Sequence, residues 1–290
     1  MIKSEILVSF IIVNFNTEEL VIKAIASILE NCQAIRFEVI VVDNSSTNTE
    51  FRSKLNLIPH VYYWPLGNNV GFGRANNFGF DKSIGDFVFL LNSDAYLLDE
   101  TTILAMMDFL NENSQVACVG GCLQTEDCNI NISFGNFYTP QRAFYDLGLY
   151  HCSTDFFHKH LATSLYCSFT KPTAVNYLTA AAIMIKRHVI KELSFFDPDF
   201  FMYYEDMELC YRYKKAGYDS VILPQLKIVH LGGQSISTLD NNYLNKEIMR
   251  SRYLFLRKSN GVFIASFLYS LFLIQRAYYN VRKALRRIQN

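Results

Sequence analysis

Polar side chains stand directly after three apolar runs in the first part of the chain. They are Asn14 and Asn16 after the run 6–13, Asp43 after the run 39–42, and Asn92 and Asp94 after the run 86–91. Each group alone is typical of a turn or a helix cap. Because ligands of an open α/β sheet bind beyond the carboxyl ends of its strands, three successive groups predict one polar site at the sheet edge.

These residue types favour the binding of a nucleotide diphosphate. Asp94 could hold a divalent cation, which neutralises the charge of a diphosphate leaving group. Asp43 could accept hydrogen bonds from a ribose hydroxyl or a base N–H. The segment 68–77 places glycines and Arg74 at the start of a predicted helix, where backbone N–H groups favour anions. Its spacing is neither a dinucleotide fingerprint nor a P-loop, so by spacing alone it is a loop-to-helix junction.

An acidic pair, Glu205 and Asp206, opens a predicted helix directly after the aromatic run 200–204. Acidic residues in a first turn often only complement the helix dipole. In a pocket partly closed by aromatic rings, such a carboxylate would instead act as the general base for an acceptor hydroxyl. His230 ends a predicted strand before two glycines, where it is either a structural residue or a metal ligand.

Strand and helix patterns alternate in the first part of the chain. They predict strands at 6–13, 37–42, 61–64, 86–91 and 115–122, and helices at 17–31, after 71–73 and at 99–113. Regular structure returns at 175–185, with a helix at 206–216 and strands at 220–223 and 227–231. Strands buried on both faces and separated by helices indicate an α/β fold with a mostly parallel central sheet.

Two segments depart from this rhythm. Residues 124–170 lack clean periodicity and are interpreted as a long insertion or lid where acceptor choice lies. We predict a catalytic domain at 1–240 and a helical extension at 241–290. In the extension an apolar stretch, 261–274, precedes a basic one, which fits a helix on an anionic membrane surface. A helix packed on the domain or in a homo-oligomer fits equally well.

Composition excludes several classes of protein. The 290 residues have a formal net charge of +0, so the global basic field of a nucleic-acid binder is absent. The 7 cysteines form no zinc-binding pattern and are expected to be reduced thiols. The first residues lack the features of a signal peptide. We expect no run to reach the length of about 18 to 20 apolar residues that is needed to span a bilayer.

Taken together, six segments resemble glycosyltransferase family 2 with its GT-A fold, especially the bacterial rhamnosyltransferase-like branch. The segments are VSFIIVNFN (8–16), VVDNSS (41–46), NNVGFGRANNFG (68–79), LLNSDA (90–95), FFMYYEDMELCYRYKKAGY (200–218) and VHLGGQS (229–235). Their order and spacing carry the resemblance, which spans roughly residues 6 to 236.

The resemblance implies an inverting transfer that uses Mg²⁺ or Mn²⁺. Asp206 matches the catalytic base, with Glu205 as its neighbour. Asp94 matches the last acid of the family's D-x-D motif, and His230 matches a histidine that completes the metal or diphosphate site. Asn92 stands where that motif has its first Asp, which leaves fewer charged ligands.

The remaining residues assigned to the donor nucleotide are Asn14, Asn16, Asp43 and Arg74. Of these, Asp43 matches the position that contacts the base or ribose.

The branch implies dTDP-rhamnose as donor, with a UDP-hexose as the alternative. The acceptor is a glycan or a lipid-linked glycan of cell-surface polysaccharide synthesis, such as O-antigen. The expected location is the cytoplasm or the inner face of the cytoplasmic membrane.

Two other functions are alternatives to sugar transfer. A nucleotidyltransferase is disfavoured because its Gly-rich basic loop is absent after the first strand. A non-catalytic nucleotide-sugar-binding scaffold stays open until turnover is tested.

Overall fold

The first part of the chain folds into alternating strands and helices. The computed structural model describes residues 7–45, 49–233 and 240–288. The strands are β1 (Leu7–Asn14), β2 (Arg36–Asp43), β3 (Val61–Pro65) and β4 (Phe87–Leu91), and the helices are α1 (Glu18–Asn31), α2 (Thr49–Leu55) and α3 (Phe72–Lys82). The predicted strands and helices of this part are confirmed, with shifts of one or two residues at their ends.

The second part begins with shorter strands and ends in long helices. The strands are β5 (Ala95–Leu97), β6 (Val116–Gln124), β7 (Ile132–Gly135), β8 (Leu165–Tyr166), β9 (Thr173–Val175), β10 (Tyr177–Leu178), β11 (Ala182–Lys186) and β12 (Asp219–His230). The helices are α4 (Thr101–Glu112), α5 (Pro140–Asp146), α6 (Thr154–Phe156), α7 (Arg187–Leu193), α8 (Glu205–Lys215), α9 (Asn241–Asn260) and α10 (Val262–Ile288).

A 9-stranded sheet with the order β3-β2-β1-β4-β11-β6-β12-β5 forms the centre of the fold, and β9 pairs with β12. The strands β3, β2, β1 and β4 are parallel, as the alternating pattern predicted. Beyond β4 the sheet is mixed, because β11 runs antiparallel to both β4 and β6. The two strands predicted at 220–223 and 227–231 are one strand, β12, whose register shifts between Leu223 and Lys227. Pro224 lies in this shift, since proline has no N–H for the ladder.

Two hydrophobic clusters cover the two faces of this sheet. Ile11 of β1 and Val42 of β2 belong to one cluster, whereas Ile12 and Val41 belong to the other. Neighbouring residues of a strand point to opposite faces, so each buried strand feeds both clusters. The sheet is therefore held between two layers and its carboxyl edge has a fixed shape.

The segment predicted as an irregular insertion, 124–170, contains more structure than its sequence indicated. It forms β7, β8, α5, α6 and a π-helix at Phe157–Leu161, and β7 pairs with β8 and β10 in a 3-stranded sheet. A disulfide joins Cys167, at the end of this segment, to Cys122. The expectation that all cysteines are reduced thiols is therefore wrong for this pair.

The C-terminal helices pack on the preceding part of the chain. Phe255 of α9 and Leu268 of α10 belong to the same hydrophobic cluster as Ile11. The boundary predicted at residue 240 lies beside residues 234–239, which are outside the described part.

The expectation that no run is long enough to cross a bilayer is corrected by helix α10. The 18 residues Val262–Tyr279 lie in one helix with a mean hydropathy of 1.3, enough by length and composition alone. The sequence interpretation stopped at residue 274, because polar Gln275 and Arg276 follow.

Candidate active site

The carboxyl ends of β1, β2 and β4 meet at one edge of the sheet. Asn14 and Asp43 are register neighbours, and the Nδ2 atom of Asn14 donates a hydrogen bond of 3.0 Å to Oδ1 of Asp43. The hydroxyl of Thr17 donates to the Oγ atom of Ser93 over 2.8 Å, which links the ends of β1 and β4. The polar groups after these strands therefore form one connected edge, as the sequence predicted.

A cavity of about 270 Å³ lies beyond this edge. It is lined by Val13, Phe15, Asn44, Asn69, Gly71, Phe72, Asn92, Ser93, Asp94, Thr179, Ala180, Ala181, Phe201, Met202, Tyr203, Glu205, Asp206, His230 and Gly233. The predicted residues that it brings together are Asn92, Asp94, Glu205, Asp206 and His230. They come from distant parts of the chain. Asn92, Asp94 and His230 form one group in the cavity, and the acidic pair Glu205 and Asp206 forms the other.

Four predicted nucleotide-binding residues do not line the cavity. Asp43 is fully buried; Asn14 and Ser45 donate to its Oδ1 and Tyr63 donates to its Oδ2. Asn14 is also fully buried. The exposed Asn16 has a left-handed backbone with φ of 56°, and Arg74 donates from Nε to the backbone oxygen of Pro198 over 2.8 Å. The hydrogen bond between Asn14 and Asp43 therefore joins the ends of β1 and β2, which form the floor of the site. Arg74 joins α3 to the segment at Pro198. Ser46 and residues 234–235 of the matching segments lie outside the described residues.

The end of the cavity at which a metal is predicted is built by the ends of β4, β5 and β12. The Nε2 atom of His230 lies 3.3 Å from Oδ1 of Asp94 and 3.4 Å from Nδ2 of Asn92. One imidazole nitrogen cannot donate to Asp94 and accept from Asn92 at the same time. In addition, Oδ1 of Asn92 and Nδ1 of His230 are buried without a hydrogen-bond partner. The unpartnered amide oxygen of Asn92 and the unpartnered Nδ1 of His230 beside the Asp94 carboxylate are polar groups of the types that divalent cations bind.

The protein supplies only part of a coordination shell. Within the described ranges, no three His, Cys, Asp or Glu side chains are grouped so that they could hold a metal. A cation bound to Asp94 and His230 would therefore take further ligands from diphosphate oxygens. Mg²⁺ sites of phosphate-handling enzymes are commonly of this kind, with one or two carboxylates plus the substrate.

The other part of the site is the acidic pair at the start of α8. Tyr203 and Tyr204, which precede it, are both left-handed with φ of 65° and 67°. This backbone is uncommon for residues with bulky side chains and concentrates at functional sites. It turns the chain so that Glu205 is buried while Asp206 lies at the cavity surface. The backbone N–H groups of Met207 and Ala180 donate to Asp206 over 2.7 and 3.4 Å.

The two carboxyl groups differ in acidity. Burial, followed by the negative charge of Asp206, raises the pKa of Glu205 to about 8. Burial raises the pKa of Asp206 to about 6, opposed by its hydrogen bonds from Met207 and Ala180. Glu205 is therefore the weaker acid of the pair, and Asp206 is the carboxyl group that ionises first as pH rises. A carboxylate with this pKa is suited to accept a proton near pH 7.

Replacing Glu205 with Gln should stabilise the protein at neutral pH. Because the pKa of Glu205 is raised in the folded state, folding is favoured below the ordinary carboxyl value and loses stability as pH rises from about 4.5 to about 8. An uncharged amide avoids this loss, so the free energy of unfolding at pH 8 should increase by on the order of 3 kcal/mol. Urea unfolding at pH 4 and pH 8 measures it.

The control for this prediction is Glu112→Gln, which neutralises an exposed carboxylate on α4. Its unfolding free energy should change little at either pH. A difference between Glu205→Gln and the original protein that is the same at pH 4 and pH 8 would show that Glu205 is not held in its protonated form.

Sequence reasoning did not assign a role to the asparagine clamp formed by Asn44 and Asn69. The Nδ2 atom of Asn44 donates to Oδ1 of Asn69 over 3.0 Å, and Val70 N–H donates to Oδ1 of Asn44 over 2.8 Å. Gly71 N–H donates to Oδ1 of Asn69 over 2.9 Å. The clamp fixes the loop that begins α3 against the end of β2, and both asparagines line the cavity. Their positions after a strand and before a glycine were the only signal in the sequence.

The start of α3 is also fastened to the segment that leads to the acidic pair. Phe72 N–H donates to the backbone oxygen of Phe201 over 3.0 Å, while Asn77 and Phe196 exchange two hydrogen bonds. Gly71 has φ of +93°, and a Cβ atom there would lie 2.5 Å from the Phe201 oxygen. Only glycine suits both the backbone and this close approach.

A polar cavity at the carboxyl edge of an α/β sheet is where ligands of such sheets bind. The chain belongs to glycosyltransferase family 2, whose sequence model matches residues 9–194. Asp206 and His230 lie beyond this match, so their roles rest on the geometry of the cavity.

Curated relatives extend over most of the chain. An N-acetylglucosaminyl-diphospho-decaprenol L-rhamnosyltransferase of Mycobacterium tuberculosis is 25% identical over 269 residues, which is 86% of this chain and 85% of the relative. A dTDP-rhamnosyl transferase of Shigella flexneri is 24% identical over 263 residues, 86% of this chain and 80% of the relative. These similarities support a rhamnosyltransferase-like branch.

Solved structures confirm the GT-A fold. A mannosyltransferase of Pyrobaculum calidifontis in complex with GDP-Man and Mn²⁺ has a TM-score of 0.58 at 14% identity, covering 98% of this chain and 81% of that one. GalNAc-T7 with UDP, GalNAc and Mn²⁺ has a TM-score of 0.60 at 13% identity. The match covers 79% of this chain but only 44% of GalNAc-T7, so the chain spans less than half of that protein.

Proposed function

We propose that the chain is an inverting glycosyltransferase that uses a divalent cation and a nucleotide-diphosphate sugar. The observation that carries this proposal is the single cavity that joins Asp94 and His230 to Asp206. The first two residues offer cation ligands, and the third offers a base, which are the two groups that a direct displacement at a sugar carbon requires.

In the proposed reaction, Asp206 accepts the proton of an acceptor hydroxyl while the oxygen of that hydroxyl attacks the anomeric carbon of the donor. The bond between this carbon and the diphosphate oxygen breaks, and the nucleoside diphosphate leaves with the bonding electrons. Attack from the face opposite the diphosphate inverts the configuration. Protonated Glu205 places no second negative charge beside Asp206 and can donate a hydrogen bond to the acceptor.

Asp94 and His230 would hold Mg²⁺ or Mn²⁺, with Asn92 contributing its unpartnered amide oxygen. The cation supplies charge stabilisation for the leaving diphosphate. Two neighbouring folds were solved with Mn²⁺, which supports this assignment. We further propose that Asn14, Asn16, Asp43 and Arg74 act in nucleotide binding, with Asn14 and Asp43 acting through the floor that they brace.

The proposed donor is dTDP-rhamnose. Two curated relatives are named as rhamnosyltransferases, and the name of one includes dTDP. A UDP-hexose is the second candidate, since a Haloferax volcanii relative that is 25% identical over 264 residues is named a hexosyltransferase of low-salt glycan biosynthesis.

The proposed acceptor is a lipid-linked glycan in cell-surface polysaccharide synthesis, of which O-antigen is one example. The Mycobacterium tuberculosis relative is named for an acceptor of this chemistry, a sugar joined through diphosphate to a polyprenol. Such a lipid is reached from the cytoplasm at the inner face of the membrane, which is where we place the enzyme.

A thermal-shift comparison of dTDP, UDP and GDP, each with and without Mn²⁺, tests the proposal. A ligand that binds only the folded state stabilises it by RT ln(1 + [L]/Kd), so the preferred nucleotide gives the largest shift. We expect dTDP with Mn²⁺ to give the largest rise in Tm and to give less without the metal. The largest rise with UDP would move the donor to a UDP-sugar. Nucleotide binding without transfer or hydrolysis of any donor would favour a non-catalytic scaffold, and no rise with any nucleotide would contradict the proposed use of a nucleotide-sugar donor.

A further inference from the structure

Helix α10 is apolar on two opposite faces. One face, formed by Ala265, Leu268 and Phe272, is buried against the rest of the protein. Gln275 on the same side donates from Nε2 to the backbone oxygen of Leu147 over 3.3 Å, and the ring of Tyr269 lies 5.3 Å from that of Tyr253 in α9. Residues 265–275 of the helix are therefore packed on α9 and on the end of α5.

The opposite face of α10 is exposed. Phe263, Phe267, Ile274 and Tyr278 are 89%, 57%, 65% and 61% exposed. Their spacing of four, seven and four residues places them in one stripe on a helix that turns about 100° per residue. Single exposed apolar residues are ordinary, but a continuous stripe of large ones marks an interaction site. The outer stripe, as we call these residues, has no partner within the described part of the protein.

Charge identifies the occupant of the outer stripe. From residue 262 to the end the sequence has no Asp or Glu, and its cations are Arg276, Arg282, Lys283, Arg286 and Arg287. The other residues hold 22 Lys and Arg against 27 Asp and Glu, from totals of 27 each. A second copy docking through the same face would bring two cationic helices together. An anionic lipid surface offers both an apolar layer and the opposite charge.

We propose that α10 lies in the interface of an anionic bilayer, with the outer stripe in the acyl boundary and the exposed Arg276 and Arg282 among the lipid headgroups. The helix does not span the bilayer, although Val262–Tyr279 would be long enough, because its inner face is packed on the protein. A spanning helix meets apolar surroundings on all sides, whereas an interfacial helix has one face in lipid.

The placement of α10 also relates the membrane to the acidic pair. The guanidinium of Arg252 lies 5.2 Å from the ring centre of Phe272, and its Nε donates to the hydroxyl of Tyr204 over 3.2 Å. Tyr204 directly precedes Glu205 and Asp206. Arg252 thus joins α10 to the residue directly before the acidic pair, and we infer that a lipid-linked acceptor enters from this side. The approach of a lipid-linked acceptor rests on the proposed function. The binding of the outer stripe to a bilayer does not.

The experiment is co-sedimentation of the full chain with phosphatidylglycerol vesicles and with phosphatidylcholine vesicles. The test variant is the triple change Phe263→Ser, Phe267→Ser and Ile274→Ser, which alters only exposed side chains of the outer stripe. The control is Leu57→Ser with Ile84→Ser, which removes two exposed apolar residues elsewhere. We expect the original and control proteins to bind phosphatidylglycerol vesicles, and the triple variant to bind at least about tenfold more weakly.

Salt, carbonate and oligomer measurements complete the test. Binding should weaken with rising salt and be reversed by alkaline carbonate, because the helix is interfacial. Binding of the triple variant equal to that of the original protein would overturn the proposal, as would retention after carbonate, which indicates a spanning helix. A dimer that the triple variant dissociates would assign the outer stripe to a second copy. Nucleotide thermal shifts should be unchanged in all variants, so failure here is distinct from failure of the proposed transfer.

Discussion

Replacing Asp206 with Asn should lower kcat/KM for sugar transfer by about 10²- to 10⁴-fold, the range that a positioned general base contributes. The amide keeps the shape of the side chain but cannot take the acceptor proton. Nucleotide binding should persist, because Asp94 and His230 are untouched. In the original protein, kcat should increase with pH through about 6, the pKa to which burial raises Asp206. Steady-state kinetics of both proteins between pH 5 and pH 8 measure the effect.

The matched control is Asp108→Asn, an identical change at an exposed position of α4. It should transfer sugar at the original rate. The unfolding free energy of Asp206→Asn should not fall, since a buried charge is removed, and this separates lost chemistry from lost structure. Turnover of Asp206→Asn near the original rate would assign the proton to another group.

Replacing Asp94 with Asn should remove most of the metal dependence of the enzyme. The change deletes the one carboxylate in the set of Asp94, His230 and Asn92, and the charge of the leaving diphosphate is then poorly neutralised. We expect a fall in kcat/KM of about 10³-fold, comparable to the loss of several kcal/mol of transition-state stabilisation. The extra rise in Tm that Mn²⁺ gives with dTDP should vanish as well.

Measuring the Tm with dTDP while Mn²⁺ is added gives a second test, which does not depend on turnover. His230→Gln should weaken the Mn²⁺ response in the same direction, because it removes the second protein ligand. Asp81→Asn, on the exposed side of α3, is the control and should leave the titration unchanged. An undiminished Mn²⁺ response in Asp94→Asn would place the cation elsewhere.

The sequence was sufficient to predict the parallel half of the sheet and the edge at which the site lies. The runs that become β1, β2 and β4 are apolar at nearly every position, as strands covered on both faces must be. The acidic pair was found because an aromatic run preceded it at a helix start. Local composition and periodicity carry such signals directly.

Other features depend on contacts between distant segments, and periodicity contains no record of these. The antiparallel placement of β11 between β4 and β6 is one example. The hydrogen bonds of Asp43 are another, because its partners Asn14 and Tyr63 come from two other strands. The bonding of Cys122 to Cys167, 45 residues apart, was likewise invisible in their spacing.

The fastening of α3 to the segment before the acidic pair has an evolutionary consequence. A Cβ atom on Gly73 would lie 3.1 Å from Cβ of Phe196, and one on Gly71 would lie against Phe201. Accepted changes at 71 and 73 should therefore be accompanied by changes at 196 and 201 when homologous chains are aligned. The loop that begins α3 and the segment before the acidic pair are expected to diverge as one inherited unit, although more than 100 residues of sequence lie between them.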